Sequence, residues 1–320
     1  MYDRFNRNYS LEIITLDNKK ITIQPELRIT FDVTKSVKGG LNNGTIQIYN
    51  LSQTHRNLIV KDEDITEEDK EKKEEKKKTD AQKEAEKKAR ELKDAGIRTL
   101  PADYMQFELK AGYSKIETIF KGAISKASSK KQGAEFITTI EAYDGLYDMQ
   151  NSYTSKVVKG KISEQVIKDM PTVKKGKITE QNPLLRPRVL VGNSFKILEE
   201  NLALNETYYV DDGVIHIIKE KEVTSGYIPL VNSETGLLNT PEKLQKEVKF
   251  ETMMNPLLRI GGLMQLESLY DKRFNGIYKI NTIHYTGDYS GSDWKQEILC
   301  IACNDYRVVK WTIIVMKHWT

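Results

Sequence analysis

The sequence predicts a mainly β protein with an α+β portion: two antiparallel β domains, the first a barrel or sandwich and the second its repeat, a small α+β module between them and a charged helical insertion. Three observations carry this. Both ends of the chain are built from short runs that alternate apolar and polar residues between glycine and asparagine punctuation, which is the period of a half-buried strand. The middle changes to helix-period segments. One stretch of 34 residues, Lys61 to Asp94, carries 26 charges, 12 basic and 14 acidic, while the rest of the chain has an ordinary density. The expected boundaries are 1–150 for a first barrel interrupted by the insert at 61–96, 151–235 for the α+β module, and 236–320 for a second barrel.

In chain order, Leu11 to Leu16, Ile21 to Gln24 and Leu27 to Thr34 read as strands, with LDNKK turning the first pair. SVKGGLNNG connects to Thr45–Tyr49, where TIQIYNL alternates clearly. The insert then interrupts the barrel in a loop, which chain entropy tolerates because closure cost grows slowly with length. It lacks aromatics and nearly all branched aliphatics, so it cannot form a core. Its grammar is helical: Glu68 with Lys72, Asp69 with Lys73, Glu74 with Lys78, Glu84 with Lys88 and Glu86 with Arg90 are acid-before-base pairs at four-residue spacing. Thr79 and Asp80 can cap a second segment that Gly96 stops. These residues form either a solvated face or a docking arm for a neighbouring subunit.

After the insert, MQFELKAGY, ETIFKGAISKA and EFITTIEAYDG give three more strands. In the middle, Ser163 is the expected cap of SEQVIKDM and Ser194 of SFKILEENLALN, and Asp212-Gly213 is a hairpin signal between Tyr208–Val210 and Val214–Ile218. The last segments, LQKEVKFETMM, GGLMQLESLY, GIYKINTIHYTGD and DWKQEILCIACND, return to strands. A pattern recurs there. Phe120-x-Gly122 opens a strand that leads through a polar turn to a second strand ending at Asp144, and Phe274-x-Gly276 leads in the same way to Asp305. The repetition suggests duplication of one barrel.

Composition narrows function. The chain has 320 residues, 50 basic and 46 acidic, so its net +4 names no nucleic-acid partner and no sequence-specific nucleic-acid binding is expected. No run reaches the length of a membrane span, and MYDRFNRNYS lacks the apolar stretch of a signal peptide. Cys300 and Cys303 are the two cysteines; three apart on a strand they face opposite ways, which fits buried thiols better than a redox pair. His55, His216, His284 and His318 show no ligand spacing, and no phosphate-cradling loop or nucleophile elbow occurs. No catalytic, cofactor-binding or metal residue is assigned. Lysine-rich KSVKGG, SKASSKKQG, VVKGKI and VKKGKI read mainly as solvated loops.

FDVTKSVKGGLNNGTIQIYNLSQTHRNLI, FELKAGY, IFKGAISKASSKKQGAEFITTIEAYDG, SETGLLNTPEK, MMNPLLRIGGLMQLES and GIYKINTIHYTGDYSGSDW, in that order, resemble baseplate hub proteins of tailed bacteriophages, tail-tube-like hubs of the contractile-tail kind. The insert is a departure from that pattern. The resemblance implies two tail-tube-like barrels in one chain, a homotrimer presenting six barrels beneath a hexameric tail tube, and a structural role in the virion baseplate with assembly in the host cytoplasm. Its implied partners are the tail tube ring, a spike or tip protein and other baseplate proteins, with a channel through which DNA leaves. Two alternatives stand beside it: the hub or spike of a phage-related contractile injection or secretion system, and a tail-associated lytic or carbohydrate-processing enzyme. No cofactor is implied.

Overall fold

The computed structural model describes residues 6–60 and 104–303. The candidate arm, Glu68 to Arg90, and Asp305 lie outside the described residues, as does His318. The N-terminal part supplies β1 (Asn8–Ile14), β2 (Lys20–Ile23), β3 (Ile29–Ser36), β4 (Asn43–Tyr49), α1 (Gln53–Ile59), β5 (Gln106–Gly112), β6 (Ile116–Gln132) and β7 (Glu135–Tyr143). β1, β2, β3, β4 and β7 fall on alternating runs of the sequence, because the buried positions recur every second residue: in β1 Tyr9, Leu11 and Ile13, in β3 Ile29, Phe31 and Val33. β6 does not alternate, and its second half is the lysine-rich SKASSKKQ that reads as a loop in the sequence.

The middle holds α2 (Leu146–Asn151), β8 (Tyr153–Val158), α3 (Ile162–Ile167), β9 (Lys174–Ile178), β10 (Arg188–Asn193), α4 (Ser194–Glu200), β11 (Glu206–Asp211) and β12 (Val214–Lys219). Two caps differ from expectation. Ser163 lies inside α3, buried with an unpaired hydroxyl, and Lys161 is the N-cap. Asn193, not Ser194, caps α4, accepting from the Lys196 backbone N–H. Asparagine one residue earlier caps as well as serine does, and Ser194 instead bonds Thr154 in the core. Asp212-Gly213 does turn the β11–β12 hairpin, both residues at positive φ. β9 joins β12 in parallel, a long-range pairing with no local signal.

The C-terminal part adds β13 (Leu230–Val231), β14 (Glu242–Lys243), β15 (Val248–Met253), β16 (Leu263–Leu266), a 3-10 turn (Lys272–Phe274), β17 (Gly276–Asp288) and β18 (Trp294–Ala302). The first and last parts are not separate sheets. β17 pairs with β3 from Thr282 opposite Ser36 to Asp288 opposite Thr30, joining both into one 13-stranded sheet whose main path runs β14-β15-β18-β17-β3-β4-β7-β6-β5-β1-β2. That path ends at two free edges, so among the described residues neither expected barrel closes through strand pairing. One hydrophobic cluster spans both parts, with Leu11, Ile46 and Phe107 from the first and Phe250, Ile280 and Ile298 from the last; the middle module packs around its own cluster of Val166, Leu198 and Ile215.

Candidate functional site

Two features of this architecture bear on function: the open face of the shared sheet and the junction that fixes the middle module to it. The open face is polar by alternation. Across the joint between β3 and β17, Thr30, Asp32 and Thr34 stand beside Thr282, His284 and Thr286, while Phe31, Val33, Ile283 and Tyr285 point into the core. His284 Nε2 lies 2.9 Å from Asp32 Oδ1, and Lys249 with Glu297 and Lys295 with Glu251 form 2.8 Å pairs further along. Such exposed pairs contribute little stability each. The two lysine–glutamate pairs cancel charge with one another, leaving a largely hydroxyl-rich surface.

The junction is built from charges the sequence hides. Lys35, expected in a solvated lysine-rich loop, sits at the end of β3 with only 1% of its surface exposed. Its Nζ donates to Asp211 Oδ1 at 2.6 Å and Asp212 Oδ1 at 2.7 Å on the module's hairpin. Arg259 closes the other side, donating to Asp212 Oδ2 at 2.6 Å and to the Thr118 carbonyl at 2.9 Å. Burial alone would depress the Lys35 ammonium, but the Asp211 and Asp212 carboxylates outweigh it and hold it above the usual lysine range. Burial likewise opposes the Asp212 charge, and Lys35 and Arg259 reverse this so that its carboxyl falls below the usual range.

Asp144 completes the cluster from the end of β7. Burial, then the negative charge of Asp212, push its carboxyl well above the usual range, and it accepts the Gly213 N–H at 3.0 Å. Four residues on, buried Asp148 accepts the N–H groups of Thr172 at 3.0 Å and Val173 at 2.8 Å. Asn42 donates to the Val210 carbonyl at 2.6 Å, and Lys279, whose ammonium burial lowers to about 8, donates to the Glu220 carbonyl at 2.7 Å. The module is therefore held to the sheet from β3, the end of β7 and β17, and within itself by Asp148.

The other sequence-identified residues are scattered. Phe120 is buried in β6; Phe274 ends the 3-10 turn and Gly276 opens β17. Cys300 is buried on β18, its thiol pushed up by burial, and Cys303 is half-buried beyond the strand end. His216 stacks on Tyr209 and accepts the Lys177 N–H, while His55 lies in α1, which follows β4. Among the described residues no cluster of three metal-ligating side chains occurs, and no helix is long and apolar enough to cross a membrane.

The strand pairings repeat. β4-β7-β6-β5 and β15-β18-β17-β16 have the same chain order, the same spatial order and antiparallel pairing throughout. Each long strand also has a bulge against its hairpin partner, between Ile124 and Lys126 in β6 and between Ile280 and Thr282 in β17. Bulges mark register because each displaces every later side chain. With the bulges aligned, Ala123 (opposite Gln106 and Tyr143) matches Lys279 (opposite Leu263 and Ile301), and Phe-Glu-Leu at 107–109 matches Met-Gln-Leu at 264–266. Gly122 then matches Tyr278, and Gly276 matches Phe120. Gly122 and Gly276 lie in corresponding strands but two residues out of step, Phe274 lying before its strand, and Asp144 matches Ala302.

The family described as "Baseplate hub gp41" matches residues 12–288. The chain belongs to the baseplate hub gp41 family. This hub-family chain is also similar in fold to a 43 kDa tail protein of prophage MuSo2 from Shewanella oneidensis, at TM-score 0.56 and 7% identity, covering 93% of this chain and 97% of that one. A tail protein from Neisseria meningitidis MC58 matches at TM-score 0.54 and 8% identity, covering 92% and 96%. An Escherichia coli component of the type VI secretion system, itself described as structurally similar to bacteriophage T4 tail proteins gp27 and gp5, matches at TM-score 0.52 and 8% identity, covering 86% and 73%. Among curated protein sequences none matches. The family assigns this hub chain a structural role in the tail baseplate of the virion.

Proposed function

We propose that this chain is the hub at the distal end of a tail tube and assembles as a homotrimer whose two strand units per chain give a pseudo-sixfold ring. The observation that carries this is the repeated four-strand order with aligned bulges, which supports descent of both units from one tube-like barrel. Three chains with two such units each match a hexameric tube ring on one side and a trimeric spike or tip on the other. The sheet's hydroxyl-rich face would line the DNA exit channel. A lumen that binds phosphates tightly would retard ejection, and on this face Lys249 and Lys295 are each paired with a glutamate. The tube ring, the spike or tip and other baseplate proteins are the proposed partners, and assembly takes place in the host cytoplasm.

Mass photometry of the purified chain tests this directly. A species near three times 36.8 kDa is expected, with averaged electron images showing a ring of six similar lobes. A chain that is dimeric, or a trimer without six lobes, would overturn it. The likeness to the type VI secretion component favours a second reading, a hub in a phage-related injection or secretion device. Copurification of the tagged chain with packaged DNA separates the two.

A further inference from the structure

The repeat has one position filled in one unit and vacant in the other. Beyond its bulge, β17 has β18 on one side and β3 on the other. The matching stretch of β6, Lys126 to Gln132, has β7 on one side, and among the described residues no strand pairs with the other; pairing with β5 ends at Ala123. The strand that matches β3 in the second unit is β14, which precedes β15 as β3 precedes β4, and β14 is the outermost strand of the sheet with one edge free. The vacant edge and the free strand lie at opposite ends of the repeated run, so one chain cannot join them.

We infer that β14 of one protomer pairs antiparallel with the Lys126–Gln132 edge of β6 in the next. This names the contact within the ring proposed above and rests on that reading. The joint is a heterologous contact, which closes into a ring when its rotation permits. Its register follows from copying the β3–β17 pairing through both matches: Thr240 faces Gln132, Glu242 faces Lys130 and Lys243 faces Ser129. Charge agrees with this register, since Glu242 and Lys130 are both exposed and of opposite sign. Backbone direction agrees too. The Leu244 N–H points inward to the Glu247 carbonyl, so the N–H of Lys243 points outward to the vacant edge. Pro241 offers no N–H, which removes one rung and disfavours pairing with the wrong strand.

Glu242 and Lys130 form a non-hydrogen-bonded pair in this register, with Cα atoms about 4.5 Å apart, inside the range a disulfide spans. The test uses the full chain with Cys303→Ser to remove the half-buried thiol, carrying Glu242→Cys and Lys130→Cys, oxidised and run on denaturing gels without reductant. A covalent ladder ending at trimer is expected, and the same chain with Glu242→Cys and Lys126→Cys should give at least about tenfold less product, being displaced by roughly 13 Å along the strand. In the uncrosslinked chain, Lys130→Glu or Glu242→Lys alone should weaken self-association by about threefold or more, and the double reversal should restore it. A trimer by mass photometry that gives no disulfide at Glu242/Lys130, or equal yield from the displaced pair, overturns this contact and leaves the ring standing. A chain that stays monomeric at every concentration overturns both.

Discussion

Lys35 Nζ lies 2.6 Å from Asp211 Oδ1, joining residues 176 positions apart, and the lysine is almost wholly buried while the aspartate keeps a little contact with water. This pair, with Asp212 and Arg259, is the electrostatic bolt between the shared sheet and the middle module. A buried ion cluster of this kind adds little over an apolar replacement of the whole cluster, but it fixes one orientation because removing a single member strands the others.

Lys35→Met should therefore destabilise the protein by about 3 kcal/mol, since Asp211 and Asp212 lose their shared cation and retain only Arg259. Urea unfolding measures this, and limited proteolysis should show earlier cleavage between residues 150 and 235 as the module loosens. A loss under about 1 kcal/mol would mean that water already solvates the cluster.

Asp144 gives a pH signature of unusual sign. Its carboxyl titrates well above the usual range in the folded protein, so the folded state holds a proton that the unfolded chain has released. Stability from this group is complete below the unfolded carboxylate pKa of about 3.9 and is lost as pH rises toward the folded value, at up to about 1.4 kcal/mol per pH unit. Asp144→Asn keeps an acceptor for the Gly213 N–H and carries no charge. The variant should gain stability relative to the parent as pH rises above 4; parallel pH curves for the two proteins would refute the assignment.

The glycines of the two Phe-x-Gly motifs should respond differently to the same change. A Cβ on Gly122 would lie 2.5 Å from the Tyr143 carbonyl oxygen, a backbone atom that cannot yield without breaking the β6–β7 ladder. On Gly276 the nearest atom is 3.7 Å away, on the Tyr278 ring. Gly122→Ala should cost about 1–3 kcal/mol and Gly276→Ala nearly nothing, as read from melting temperatures. Equal costs would argue that the two positions are in step after all.

Deleting Lys61 to Asp94, with a short glycine-serine joint, should leave the melting temperature of the body nearly unchanged. Ile59 and Met105, close to either side of the deletion, are already buried in the main cluster. Acid–base residues at four-residue spacing, the pattern that Glu74 and Lys78 carry in the sequence, add only about 0.2–0.5 kcal/mol each on a helix. If the segment is a docking arm, particle assembly should fall, more so at low salt. A body that fails to fold would place the segment in the core.

The sequence alone determined where the alternating strands run, but not β8 and β9, whose lysine-rich stretches read as loops, nor β10. Alternation is a local property, so β1, β3, β4 and β7 announce themselves in YSLEII, TFDVT, TIQIY and FITTIEAY, and Asp212-Gly213 announces its hairpin because positive φ at both central residues is a local demand. It also pointed to a recurrence, and with the bulges of β6 and β17 aligned Gly122 and Gly276 stand two residues out of step. Only the tertiary structure decided that β3 pairs with β17, that β9 lies parallel to β12, and that Lys35 is buried while the lysines of SKASSKKQG stay largely exposed. Each of these depends on a partner far away in the chain. A lysine in a glycine-rich stretch reads the same whether water or two aspartates 176 and 177 residues distant will solvate it, and a strand edge carries no mark of which strand will satisfy its N–H and carbonyl groups.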